Sequence, residues 1–135
     1  MDTEKRIIQS SKAPRAIGPY SVAVQAGAFV YTSGQLGLDP QSGSLVPGGI
    51  VAETRQLLTN LAAVLQDAGS GLERVVKTTV FLKDMADFSQ MNAIYEEFFP
   101  EFPPARSAVA VAALPRAASI EIEAVALLRP AAAGK

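Results

Sequence analysis

Apolar positions along the 135-residue chain repeat with two periods, one helical and one extended. From Ile50 to Ala68 the residues Leu57, Leu58, Leu61, Val64, Leu65 and Ala68 recur at threes and fours, which predicts a helix with one apolar face. Glu53, Arg55, Gln56 and Gln66 read as lying mostly off that face, and Gly69 supplies a left-handed stop. A second helix is predicted from near Asp87, whose carboxylate can cap free amides, with Gln90 three residues on as in a capping box. Its stripe of Phe88, Met91, Tyr95 and Phe98, with Ile94 beside it, reads as core packing. Pro100, Pro103 and Pro104 end it.

Between and around these helices the period drops to two. Short strands are predicted at Arg6 to Ser10, Ser21 to Gln25 and Phe29 to Thr32, the last two forming a hairpin that turns at Gly27-Ala28. A long strand, Leu72 to Lys83, sends Val76, Thr78, Val80 and Leu82 one way and Val75, Lys77, Thr79 and Phe81 the other. Two more apolar runs, Ala108 to Leu114 and Ile120 to Leu128, flank a loop holding Pro115 and Arg116. The order is β-β-β-α-β-α-β-β, an α+β domain spanning 1–135, with 1–5 and 130–135 expected to be frayed. Two helices can cover one face of such a sheet. The strands carry apolar groups on both faces, so packing of bare faces between copies of the chain is expected, with clefts at the seams.

Composition narrows the chemistry. The chain is 49% hydrophobic and 19% charged with a net charge of −1, which is globular and lacks the basic stripe that nucleic acid requires. There is no cysteine and no histidine, so thiolate chemistry, disulfides, the usual general base near pH 7 and the commonest metal ligand are all missing. No apolar run approaches the ~18 residues of a membrane span, and the N-terminal stretch lacks the apolar segment of a signal peptide. A cytoplasmic location, with no nucleic-acid or membrane partner and no metal or cofactor, is the expectation.

Charges placed inside apolar ladders are the candidate chemistry. Arg106 sits near the start of one strand and Glu121 inside the next, and a charge among residues that favour burial is costly unless paired. Either Arg106 bridges Glu121 or Glu123, or these groups face a ligand; the guanidinium fork would grip a small carboxylate in two places. Glu121 and Glu123 share a strand face and are either a solvated face or a pair able to divide acid and base work. Gly34 lacks a side chain, so a ligand or another backbone could approach closely, although a β-bulge or strand end is the commoner reason for a glycine there. Tyr20 follows the stiff Gly18-Pro19 dipeptide. The loop from Asp39 to Gly49 has no phosphate-cradling glycine spacing.

Several short motifs then coincide in one order: Ile17-Gly18-Pro19-Tyr20, Thr32-Ser33-Gly34-Gln35, VKTTVFLKD from Val76 to Asp84, NAIYEEFF from Asn92 to Phe99, Pro104-Ala105-Arg106-Ser107, and Ile120-Glu121-Ile122-Glu123-Ala124. Over Ile17 to Leu127 the chain resembles the Rid family, also called YjgF, of enamine/imine deaminases. The resemblance implies a chorismate-mutase-like fold, a mixed six-stranded sheet with two helices on one face, assembled as a homotrimer with a ligand cleft at each interface. It also implies hydrolysis of small 2-imino acids such as 2-iminobutanoate to 2-oxo acids and ammonia, without a cofactor. By the same resemblance Arg106 binds the substrate carboxylate, Glu121 positions water, and Tyr20, Gly34 and Asn92 line the cleft. Where many members carry cysteine this chain has Ala108, whose backbone amide remains available to a carboxylate. A non-catalytic binder of small carboxylates would use Arg106 without requiring Glu121. An RNA-cleaving role, attached to some relatives, is opposed by the missing basic stripe and histidine.

Overall fold

The computed structural model describes residues 3–130. Its strands are β1 (Lys5–Ile8), β2 (Ala23–Ala26), β3 (Phe29–Thr32), β4 (Val75–Leu82), β5 (Ala105–Ala110) and β6 (Ile120–Leu127), and its helices are α1 (Gly49–Asp67) and α2 (Phe88–Phe98). The predicted element order is the observed one. Lys5, expected in a frayed end, instead opens β1, while the expected fraying of 1–2 and 131–135 lies outside the described residues.

The six strands form one sheet in the order β1-β2-β3-β6-β4-β5. Neighbours are antiparallel except β4 and β5, which run parallel because α2 carries the chain back between them. The β2–β3 hairpin turns at Gly27-Ala28, with Gly27 at φ 60°, a conformation a side chain would oppose. Both helices cover one face. Leu57, Leu58, Leu61, Val64 and Leu65 of α1 and Met91 of α2 are buried against Val30, Val80, Leu82, Ile120 and Ile122 of the sheet. Each such side chain contributes about 1.5–3 kcal/mol by leaving water.

The other face is uncovered in the chain. Paired registers place Tyr31, Val125 and Lys77 side by side on it, then Glu123 and Thr79, then Glu121, Phe81 and Val109. Tyr31 and Val109 remain 46% and 45% exposed there.

Four local expectations are corrected. Leu72–Arg74 forms a 3-10 turn, so the long strand begins only at Val75. An irregularity between Val75 and Lys77 then turns Val76 outward and Val75 into the core, breaking the predicted alternation at that end. The strand expected at Ala108 to Leu114 runs instead over Ala105–Ala110, because its partner β4 ends at Leu82 and only Val111 finds one further carbonyl there. Asp87 makes no side-chain cap; Asp84 accepts the Ala86 amide at 2.9 Å and opens a 3-10 turn, Met85–Asp87, that leads into α2.

Glu53 was expected off the apolar face of α1, yet it is 4% exposed. It lies three residues after Ile50 and four before Leu57, within the buried stripe. Its carboxylate accepts the Ser119 amide at 2.7 Å and the Ser119 hydroxyl at 3.0 Å, tying α1 to the start of β6. Glu53→Ala leaves that amide without its acceptor and should lower unfolding free energy by about 1–3 kcal/mol, read from the urea midpoint. Glu53→Gln keeps an acceptor and should recover part of the loss.

Candidate active site

Arg106 lies on the helix-covered face of β5. Its register partner on β4 is Thr78, itself fully buried and paired in turn with Ala124 of β6. From that position the guanidinium reaches α2, where Nη1 donates to Oδ1 of Asn92 at 2.8 Å. The same group lies 4.8 Å from the centre of the Tyr95 ring and 5.4 Å from that of Phe88. Phe88, Asn92 and Tyr95 are spaced by four and three on one side of α2, so a single helix face supplies the whole seat. Tyr95 is fixed by its hydroxyl, 2.7 Å from Thr78 Oγ1. Burial raises the Tyr95 phenol above its ordinary pKa, opposed by the Thr78 hydrogen bond and the Arg106 charge, so it stays neutral at pH 7. One amine donor is thus committed and the rest of the fork faces a cavity of about 600 Å³ lined by Asn92, Tyr95, Pro103 and Pro104.

Glu121 lies on the other face. It is paired with Phe81 across β4, and its carboxylate lies over Gly34. A Cβ on Gly34 would collide with Oε2 and stand 2.6 Å from Cδ, so the missing side chain makes room for the acid. Gly34 is set there by the bridge between Gln35 and Ile122, closed by Gln35 N to Ile122 O at 2.8 Å. Glu121, Gly34 and Tyr20 border a second cavity of about 380 Å³. Removal from water raises the pKa of Glu121, and the neighbouring charge of Glu123 raises it further.

The predicted site residues therefore divide. Tyr20, Gly34 and Glu121 meet around one cavity, and Arg106 and Asn92 meet around the other. Ala108 shares the face of Arg106, half-buried two residues on, and lines neither cavity. Within one chain Arg106 and Glu121 are not brought together: β4 lies between their strands and they point to opposite faces. Among the described residues no ion pair joins Arg106 to Glu121 or Glu123, which removes the bridging alternative inside the chain. The sequence reading missed Tyr95 and Phe88 as the seat of Arg106, although their spacing from Asn92 carried the signal. It also missed Arg15 and Arg116, which line the Glu121 cavity.

Residues 10–128 match the protein family described as Endoribonuclease L-PSP. Among curated relatives, 2-iminobutanoate/2-iminopropanoate deaminase of Mus musculus is 54% identical over 126 residues, covering 93% of each chain. Among solved structures, the YjgF gene product of E. coli is 46% identical with a TM-score of 0.87, over 92% of this chain and 99% of that one. E. coli TdcF, solved with bound serine, is 40% identical with a TM-score of 0.87 over the same shares. The chain belongs to the L-PSP family, the Rid or YjgF family that its motifs resemble. Among the described residues no helix is long and apolar enough to cross a membrane.

Proposed function

We propose that the protein hydrolyses small 2-imino acids to 2-oxo acids and ammonia, as a homotrimer. In each cleft the Arg106 half-site of one copy faces the Glu121 half-site of another. One observation carries this reading: a seated guanidinium and a carboxylate of raised pKa occupy opposite faces of one sheet, each beside an open cavity. A second copy that presents its edge strand β5, which carries Arg106, to the uncovered face that carries Glu121 would bring unlike halves together. The reaction is the one named for the mouse relative, and an amino acid bound to TdcF fits a carboxylate-binding site.

An imine carbon next to a carboxylate is already electrophilic, so the protein needs to orient it and to move protons. Arg106 holds the carboxylate with the donors that Asn92 leaves unused. Glu121, ionised, takes a proton from water as the water oxygen bonds to the imine carbon. Returning that proton to nitrogen gives a carbinolamine; Glu121 then takes the hydroxyl proton and passes it to the same nitrogen, so that the C–N bond breaks, the oxygen becomes the carbonyl of the 2-oxo acid and ammonia leaves. Tyr20 and Gly34 shape the Glu121 side, and the Ala108 amide is a further donor for the carboxylate.

The test is to generate 2-iminobutanoate in situ with a dehydratase and follow its loss. Faster loss and ammonia release on adding the protein are expected, and ligand binding without acceleration would favour the non-catalytic binder. Gly34→Ala should push the Glu121 carboxylate from its place while leaving the fold intact, since the displaced atoms end a flexible side chain. A displacement of about 1 Å predicts roughly 10²-fold lower kcat with an unchanged melting temperature.

A further inference from the structure

We propose that Arg116, with Arg15 beside it, reads a second anionic group on the substrate, so that imines of acidic amino acids are preferred over those of small neutral ones. This rests on the imine-hydrolase reading and names the substrate class of that same site. Arg15 and Arg116 both line the cavity that Glu121 borders, so a ligand in it meets two permanently cationic side chains. Among the described residues neither arginine forms an ion pair with Glu121, and the cavity keeps an excess of positive charge.

The backbone that presents Arg116 is strained. Arg116 has φ 61° and ψ 18°, and Ala117 has φ 56°, two successive non-glycine residues in the left-handed region. Such a conformation persists only where its surroundings impose it, and strain of this kind gathers at ligand sites. Here the turn is fixed on one side by Pro115 and on the other by buried Ala118 and by Ser119, which Glu53 holds. The Arg116 side chain is steadied by Nη2 donating to Gly43 O at 3.0 Å, which leaves most of its donors uncommitted. With the substrate's first carboxylate assigned to Arg106, the anion that suits Arg116 is a second carboxylate on the same molecule, at the end of a short side chain.

The experiment compares imines released at matched rates by flavin amino-acid oxidases from alanine and from aspartate or glutamate, using the intact protein. The expected result is a higher kcat/KM for the acidic imines. Arg116→Ala should then lower the acidic-to-neutral ratio of kcat/KM by roughly 10- to 100-fold, as losing a charged hydrogen bond predicts. Arg116→Lys should keep part of the ratio, and Arg15→Ala, on an exposed segment, should lower it without any risk to the strained turn. Hydrolysis of the alanine imine with no preference for acidic ones would overturn this proposal and leave the hydrolase reading standing. An equal loss for both imines in Arg116→Ala would overturn it too, since that marks general steering or a role for Arg116 at the first carboxylate. Hydrolysis of neither imine would sink both.

Discussion

Arg106→Ala should lower kcat/KM toward 2-iminobutanoate by about 10²- to 10⁴-fold, the loss of two charge-assisted hydrogen bonds to a carboxylate. The fold should survive. Arg106 contributes to stability mainly through its stacking on Tyr95 and Phe88, each contact amounting to about 0.5–1 kcal/mol, and through one bond to Asn92. The helix face beneath it is held independently, by Met91 and Ile94 in the core and by the Tyr95–Thr78 bond. The defect should appear in KM and kcat together, because in the proposed mechanism the same fork binds the acid and aims its imine carbon. Arg106→Lys keeps the charge and loses the planar fork, so it should fall between the two. Full activity in Arg106→Ala, measured on protein whose oligomer size and melting temperature match the parent's, would remove this residue from the site.

The seat of Arg106 shows what the sequence can and cannot carry. Local period reveals the helices, since the leucines of α1 and the aromatic stripe of α2 occupy the faces their spacing predicts. It also reveals which residues of a strand travel together: Ile120 and Ile122 on one face, Glu121 and Glu123 on the other. It does not reveal which of the two faces meets the helices, because that depends on strand order and register between segments far apart in sequence. On β5 the larger Val109 faces outward and the small Ala108 faces in, beside an arginine that hydrophobicity alone would have sent to solvent. The insertion of β4 between β5 and β6 is likewise invisible locally, yet it separates Arg106 from Glu121. Glu53 was misread for a related reason: its partner Ser119 stands 66 residues away, and without that partner a carboxylate in an apolar stripe looks like solvent surface. Val76 turned outward through a bulge that leaves no mark in the alternation of VVKTTVFL.

Glu121→Gln should reduce turnover by about 10²- to 10⁴-fold while leaving affinity for a 2-oxo acid nearly intact, because the amide keeps the shape and loses the proton acceptor. The pH profile gives the sharper result. Burial raises the pKa of Glu121, and the charge of Glu123 adds to it. In the proposed mechanism the working form is the carboxylate, so kcat/KM should fall as pH drops through this raised pKa, at a higher pH than an ordinary glutamate near about 4.3 would give. Glu123→Gln removes the second cause and should move that acid limb to lower pH, although Glu123 carries no step of its own. Stability runs in the opposite sense. A carboxyl group with a raised pKa in the folded chain binds its proton more tightly there than in the unfolded chain, so its ionisation weakens the fold as pH rises through the folded-state value. Glu121→Gln removes that charge and should be no less stable than the parent at pH 7, the mark of a group placed for reaction and not for packing. An acid limb that stays where it is in Glu123→Gln, together with unchanged turnover in Glu121→Gln, would leave the Arg106 half-site binding an acid that nothing on the opposite face hydrolyses.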